Sequence, residues 1–344
     1  MAHVSILACS SLAVAAHLLL GPVALAEPGL QLPPHLQALH IDKAWQITQG
    51  RGEIVTAILS SGINLAMADF LGSIALNKGE QGNNRERDGL DNDNNGYIDD
   101  VYGADVFDNR RAPWDFRYGS GTYLASLLVG ANSNSFAPSG VRGVASGARI
   151  LPVKVFGESG ATQFSALKDG LEYALSRGVK VILLEAVWSG NDDSGVCALI
   201  ARANLQGTLV VAPAGNTGLP LTKMMDPAAC GTDNLVVVAA LEDSGKLANF
   251  SSYGPQVHVA APGRAVPGVD SEGKSTTRTG TFVAGALVAG VASLVWSAHP
   301  EYSPAQVRQA LVLGADDNPD LYGKVLSHGN LNAYKAITVR ATVK

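Results

Sequence analysis

Charged residues are scarce in this chain, and its first 26 positions hold no Asp, Glu, Lys or Arg. Charged residues make up 16% of the 344 positions and hydrophobic residues 47%, whereas ordinary globular domains carry about a quarter charged residues. This balance supplies a large core without requiring membrane spans. The formal net charge of −5 argues against a nucleic acid or an anionic lipid as partner.

The apolar N-terminal run ends at Ala24-Leu25-Ala26, directly before Glu27-Pro28. This pattern predicts a cleavable secretory signal over residues 1–26 and hence a secreted or periplasmic protein, although its first residues lack the usual Lys or Arg. Ile6 to Cys9 loosely resembles a lipoprotein cleavage box, but the apolar run continues well past Cys9. We expect a short lead-in over 27–52 and one domain over 53–344.

Cysteine is also rare, with three residues in the chain. Removal of Cys9 with the signal leaves Cys197 and Cys230. An oxidising compartment permits a disulfide between them, but their spacing does not show whether they meet.

No repeat or long linker interrupts the chain after the signal. Apolar strand-like runs alternate with segments of helical periodicity, which indicates a parallel sheet covered by helices on both faces, a three-layer α/β domain. The predicted strands cover 53–60, 148–156, 179–186 and 207–214, and predicted helices occupy 163–178 and 195–206. Near the end, Ser303-Pro304-Ala305-Gln306 is typical of a capped helix start, and the predicted helix continues to Leu313.

The segment from Phe282 to Trp296 holds fifteen residues with no charge and one hydroxyl. A bilayer span needs about 20 apolar residues, so we expect a buried core helix and no membrane span in the mature chain. Several hydrolases present a nucleophile where Gly-Thr-Xaa opens a helix. Here the third residue is Phe282, whose phenyl ring cannot attack a carbonyl.

The order of these segments resembles the subtilases, the subtilisin-like serine proteases, over about residues 40–337. The resemblance is carried by GRGEIVTAILSSGIN (50–64), VRGVASGARILPVKVFGESG (141–160), VVAPAGNTG (210–218), LANFSSYGPQVHVAAPG (247–263), the helix after Gly280, HPEYSPAQVRQAL (299–311) and GNLNAYKA (329–336). It implies a subtilisin-like three-layer fold with a mostly parallel central sheet.

The resemblance also locates the three catalytic positions, where subtilases need Asp, His and Ser. Ser60 stands at the Asp position and Ser120 at the His position, while Phe282 stands at the nucleophile position. A catalytically inactive pseudoprotease is therefore implied. Asn216 matches the family's oxyanion-stabilising amide, although an Asn after Gly also suits a tight turn.

A relocated catalytic set is the alternative to inactivity, and the sequence offers no obvious base for one. His258 follows a strand-like alternation and His299 precedes a proline at a helix boundary. In the family, Asn-Xaa-Ser-Xaa-Gly lines the peptide groove. Larger residues replace it here, within the segment 183–190.

An acidic segment, Asp91 to Asp100 (DNDNNGYIDD), carries the most intact chemical motif. Oxygen-bearing residues at alternating positions with Gly at position six follow a calcium-loop pattern, although position twelve is Tyr102 rather than Glu. From residue 80 to 108 there are nine acidic residues against two arginines. We expect one structural Ca²⁺; a solvated acidic turn is the alternative. The expected ligands are Asp91, Asp93, Asn95, the Tyr97 carbonyl and Asp99 or Asp100.

The sequence therefore favours an exported, inactive subtilase relative that acts by binding a protein or peptide, with the partner unidentified. An active hydrolase with a relocated catalytic set and a purely structural calcium-binding protein remain as alternatives.

Overall fold

The computed structural model describes residues 32–344 except 71, 116–117, 131–140, 190–194, 222–224 and 343–344. The predicted signal peptide lies outside the described residues. Pro33 to Lys344 form one compact unit, which includes part of the expected lead-in. The Ala333 amide donates to the Leu39 carbonyl at 2.9 Å, and Trp45 Nε1 donates to the Val144 carbonyl at 2.9 Å. The lead-in helices are therefore part of the domain.

The described residues contain eight α-helices and thirteen strands. The helices are α1 (Pro34–Ala38), α2 (Ile41–Trp45), α3 (Ser120–Val129), α4 (Phe164–Ser176), α5 (Val196–Leu205), α6 (Thr281–Ala298), α7 (Pro304–Leu313) and α8 (Ala333–Thr338). The strands are β1 (Val55–Ser60), β2 (Ala104–Asp105), β3 (Arg149–Lys154), β4 (Val181–Leu184), β5 (Trp188–Ser189), β6 (Leu209–Pro213), β7 (Met225–Asp226), β8 (Leu235–Leu241), β9 (Val259–Pro262), β10 (Val266–Val269), β11 (Ser275–Arg278), β12 (Asp316–Asp317) and β13 (Gly329–Asn330).

A nine-stranded central sheet has the order β12-β13-β9-β8-β6-β4-β1-β3-β2 within the described residues. Every neighbouring pair in it is parallel except β12 and β13. Nearly all residues of the central strands are buried, which explains why they read as continuous apolar runs. The predicted strands and both intervening helices are confirmed, as is the mostly parallel three-layer α/β class.

The central helix α6 packs against α3 and against strands of the sheet, whereas α4 and α5 pack together with the opposite sheet face. It is long and apolar enough to cross a membrane, but 89% of its 18 residues are buried inside the domain. Burial on all sides explains its uniform apolar composition. The prediction of a core helix is confirmed.

The parallel strands all end at the same edge of the sheet, as in other open α/β sheets, where ligand sites lie in the loops beyond that edge. β1 ends at Ser60 and β4 ends one residue before Glu185. β6 ends shortly before Asn216. This carboxyl edge therefore brings together loops that are distant in the sequence.

Candidate functional site: the carboxyl edge of the sheet

Two serines and one glutamate form the centre of the carboxyl edge. Ser60 is the last residue of β1, Ser120 is the first residue of α3, and Glu185 follows β4. One carboxylate oxygen of Glu185 accepts a hydrogen bond from the Ser60 hydroxyl, and the other accepts one from the Ser120 hydroxyl. Both serines are fully buried, so the carboxylate joins the ends of three elements.

The Glu185 side chain sits where charge is costly. Burial raises the pKa of its carboxyl to about 7, although the two serine hydroxyls and the Arg278 charge oppose this effect. Asp115 acts in the same direction as burial because its negative charge disfavours a second one nearby. Near neutral pH, Glu185 therefore exists in both its protonated and its ionised form.

Asp115 organises the start of α3 beneath this centre. Its Oδ1 accepts from the Ser61 hydroxyl and the Gly119 amide, both at 3.0 Å. Its Oδ2 accepts from the Thr122 amide at 3.0 Å and from the Thr122 hydroxyl at 2.7 Å. Burial raises the pKa of Asp115 while these donors oppose the rise. The carboxyl group caps the first turn of α3, which fixes the position of Ser120.

Gly121 permits a close approach between α3 and the turn after β1. A side-chain carbon at this position would meet the Gly62 carbonyl oxygen at 2.0 Å, far inside van der Waals contact. The Gly121 amide also donates to the Ser61 hydroxyl at 3.0 Å. The glycine therefore holds the start of α3 against β1 whichever side chain occupies position 120.

Phe282 lies in the first turn of α6 and differs from the rest of the helix. It is partly exposed, whereas the other residues from Thr281 to Ser297 are buried. Its ring occupies the space where a side-chain carbon on Gly280 would lie, and Asn216 Nδ2 is 3.3 Å from that position. The Phe282 ring is therefore packed beside Gly280 but is not fully buried.

Asn216 is exposed and contacts the beginning of α6. Its Oδ1 accepts from the Thr281 amide at 2.9 Å and from the Thr281 hydroxyl at 3.0 Å. One otherwise free donor of the helix start is thereby satisfied, as a capping residue would satisfy it. The Asn216 side chain has a structural role that the oxyanion match did not predict.

No histidine among the described residues forms a hydrogen bond with Ser60, Ser120 or Glu185. His258 Nδ1 accepts from the Val237 amide at 2.9 Å, and burial lowers the pKa of His258 to about 4. His299 bonds the Ile337 carbonyl at 2.7 Å. Both imidazoles therefore bond to backbone groups.

The segment after Glu185 carries larger side chains along the edge. Ala186 is buried, and Val187 is 42% exposed. Trp188 meets Phe164 edge-on with ring centroids 5.8 Å apart. The short strand β5 pairs with β7 in antiparallel fashion.

Cys197 and Cys230 form a disulfide, with their α-carbons 5.2 Å apart. The bond links α5 to the turn after β7. It answers the question that spacing left open, and it ties together the two chain segments that β5 and β7 already pair.

Several large apolar side chains are exposed in the loops that leave this edge. Tyr118 is 40% exposed, Phe164 44% and Leu219 62%. Tyr118 precedes α3, Phe164 begins α4 after β3, and Leu219 follows β6. With Val187 these side chains are called the edge surface, defined as Tyr118, Phe164, Val187 and Leu219.

The acidic loop lies apart from Glu185 in sequence, and the structure divides its predicted ligands into two groups. Asp99 is buried beside Arg111, with Oδ2 3.2 Å from Nε, and Asp100 is buried 3.6 Å from Arg177. Asp100 also accepts from the Tyr173 hydroxyl at 2.6 Å. These two carboxylates have protein partners.

Asp91 and Asp93 instead converge with Glu80, and their carboxylate oxygens lie within 4.8 Å of one another. Asp91 also accepts from the amides of Asn95 and Gly96. The Asn95 side-chain oxygen accepts from the Tyr97 amide at 2.8 Å. An oxygen-rich group of three carboxylates fits a hard cation such as Ca²⁺.

A family model described as the subtilase family matches residues 50–331. The chain is 34% identical to a thermostable alkaline protease of Halalkalibacterium halodurans over 61% of its own length and 56% of that protein. It is 30% identical to thermitase of Thermoactinomyces vulgaris over 88% of its own length and 94% of thermitase. The fold matches the crystal structure of MycP1 without its N-terminal propeptide with a TM-score of 0.71, at 21% identity, over 90% and 97% of the two chains.

The fold and the edge site thus define a subtilisin-like α/β protein. The chain belongs to the subtilase family, as its sequence resemblance predicted.

Three carboxylates of these sites were missed by the sequence reasoning. Glu185 lies within the segment 183–190 of larger groove residues, and neither Asp115 nor Glu80 belongs to a motif that the sequence analysis identifies. A carboxylate at the end of the apolar run VILLEA was a usable signal, since buried charge is rare without a purpose. Nothing local pointed to Asp115, because its partners belong to β1 and α3.

Proposed function

We propose that this subtilase-family chain is an exported pseudoprotease that binds a protein or peptide at the carboxyl edge of its sheet. One observation carries the proposal: the hydroxyls at the two matched positions, Ser60 and Ser120, are buried and donate to Glu185. A serine protease needs an imidazole at the second position to take the nucleophile's proton. The Phe282 ring at the third position supplies no nucleophile.

Loss of the three triad residues should lower the rate of peptide hydrolysis strongly. In subtilisin, a member of the same family, removal of the triad lowers kcat by about 2 × 10⁶, which corresponds to about 8–9 kcal/mol of barrier. The edge surface remains exposed, and its apolar side chains support a binding role. Occupants of such an edge include an extended peptide, an active protease or a scaffold partner.

The decisive experiment compares the purified wild type with the triple variant Ser60→Asp, Ser120→His, Phe282→Ser on casein and a fluorogenic peptide panel, with calcium. We expect a silent wild type and an active triple variant. The same triple variant with Glu185→Gln is the matched control, since the carboxylate would otherwise compete for the introduced imidazole. Wild-type cleavage that survives repurification would overturn the proposal.

A relocated hydrolase is the second candidate, and the Ser120–Glu185 contact favours it. A carboxyl whose pKa is about 7 is matched to general-base work near neutral pH. Against it, the Ser120 side chain is fully buried. Labelling by a fluorophosphonate that is lost in both Ser120→Ala and Glu185→Gln would establish this candidate.

The acidic loop is proposed to hold one structural Ca²⁺. The converging oxygens of Glu80, Asp91 and Asp93 support it. A purely structural calcium-binding protein would show calcium-dependent stability without any partner at the edge surface. Measurement of unfolding with and without calcium, beside a pull-down that compares the wild type with Val187→Asp, separates the two roles.

A further inference from the structure

Glu80 is a buried carboxylate whose second oxygen has no protein partner. The side chain is 0% exposed. Its Oε1 accepts from the Asn92 amide at 2.6 Å and from the Asp93 amide at 3.3 Å. Its Oε2 is buried without a hydrogen bond. Because an unpaired buried charge is strongly unfavourable, a cation beside this oxygen would stabilise it.

Among the described residues, no basic side chain neutralises the carboxylates of Glu80, Asp91 and Asp93. Across the described part of the chain, no Lys, Arg or His forms an ion pair with Glu80, Asp91 or Asp93. By contrast, Asp99 pairs with Arg111, and Asp100 with Arg177. The loop's acidic residues thus divide into those neutralised by arginine and a group of three that is not neutralised by the protein.

We propose that Glu80, Asp91 and Asp93 ligate a divalent cation of the calcium class, with Glu80 as a ligand that the loop pattern does not contain. This inference rests on the proposed calcium role of the loop and replaces its expected ligand set. Carboxylate oxygens are the ligands of hard cations. Mg²⁺ is usually held by only one or two carboxylates together with water, whereas Ca²⁺ takes about six to eight oxygen ligands, so a group of three carboxylates favours the larger ion.

The arrangement places Glu80 where a cation would join two segments. Glu80 ends the 3₁₀ turn Lys78–Glu80, which is packed tightly on the loop. A side-chain carbon at Gly79 would lie 2.6 Å from the Asp93 Cβ. Asn77 Nδ2 donates to Asp93 at 2.9 Å and to Asp100 at 2.6 Å. The bound ion would therefore fasten the acidic loop to the turn that precedes it.

Calcium titration of the chelator-treated full chain by calorimetry tests the ligand set. Even outer-shell changes at metal sites weaken binding 10–100-fold, so Glu80→Gln should weaken Ca²⁺ binding at least about tenfold. Glu86→Gln is the matched control, because Glu86 lies in the same segment, is partly exposed and accepts from the Gly82 amide at 2.7 Å; its Ca²⁺ affinity should equal that of the wild type. Unchanged affinity in Glu80→Gln would overturn the inference.

Thermal unfolding provides a second, independent readout. In EDTA, Glu80→Gln should be at least as stable as the wild type because it removes an uncompensated charge, whereas Ca²⁺ should raise the Tm of the wild type and of Glu86→Gln more than that of Glu80→Gln. If Glu80→Gln fails to fold, Asp93→Asn takes its place with the same expected loss of affinity. A folded wild type that binds no Ca²⁺ overturns both the loop proposal and this one. An active wild-type protease would overturn the pseudoprotease proposal and leave the calcium result unaffected.

Discussion

The Ser120 hydroxyl donates a hydrogen bond to the Glu185 carboxylate. This contact joins the start of α3 to the end of β4, at the position where the family resemblance expects a catalytic histidine. Ser60 donates to the other carboxylate oxygen. The residues at two matched catalytic positions, one on a strand and one on a helix, are thus held by a shared acceptor that follows a second strand, β4.

The pH dependence of the unfolding free energy should reflect the titration of the Glu185 carboxyl. The Glu185 pKa rises from an ordinary 4.5 to about 7 in the folded chain, so folding favours the protonated form. The associated cost is absent below pH 4.5, grows between the two values and is complete above about pH 7. Glu185→Gln should therefore stabilise the fold at pH 8, by up to about 3 kcal/mol, with a much smaller gain at pH 5.

Urea unfolding at both pH values measures this difference. Glu158→Gln, an exposed Glu after β3, serves as the control and should change neither value. Destabilisation by Glu185→Gln at pH 8 would mean that the ionised carboxylate stabilises the centre, contrary to the assigned pKa direction.

Asp115 should be among the polar residues most sensitive to substitution. In Asp115→Asn, an amide group would face donors from Ser61, Gly119 and Thr122 that now meet carboxylate oxygens. Buried donors left without acceptors cost about 1–3 kcal/mol each, so we expect a loss of about 2–4 kcal/mol after partial rearrangement. Denaturant unfolding checks it against Asp270→Asn in the β10–β11 hairpin; equal effects of the two substitutions would contradict the capping role.

Local patterns were sufficient to predict much of the fold. The central strands are buried on both faces, and their continuous apolar runs were readable for that reason. The helix predicted from Ser303-Pro304 to Leu313 matches α7, because the Ser303 side chain and Gln306 form the reciprocal capping box that the sequence suggests. These elements are determined largely by residues close together in the chain.

The candidate site was harder to predict from the sequence because its contacts join residues that are far apart in the chain. Ser60 and Glu185 are 125 positions apart, and only the parallel pairing of β1 with β4 brings them together. The two-residue strands β5 and β7 carry no periodicity that a sequence pattern could detect. Likewise, the loop motif predicts Asp99 or Asp100 as a ligand, and the arginines that pair with these two carboxylates lie outside the motif.

The role of Asn216 can be tested with a matched pair of substitutions. Asn216→Ala removes the acceptor for the Thr281 amide and should destabilise the protein by about 1 kcal/mol, as loss of a helix cap does. Asn216→Asp keeps an acceptor and adds negative charge at the start of α6, which the helix dipole favours, so its stability should equal or exceed that of the wild type. Thermal unfolding of both variants and the wild type measures these differences in stability. Equal stability of all three proteins would show that the contact contributes nothing to the fold.

The disulfide should stabilise the segment that follows Glu185. Cys197 and Cys230 are separated by 33 positions, and closing a loop of this length is worth about 3–4 kcal/mol in the chain-entropy description. The double variant Cys197→Ala, Cys230→Ala should lose stability of this order, and a reductant should destabilise the wild type but not the double variant. Hydrogen exchange should show faster amide exchange in β5 and β7 before the central strands respond, because the disulfide and the β5–β7 pairing tie the same two segments. Uniform exchange throughout the domain would instead mean that the bond acts only on global unfolding.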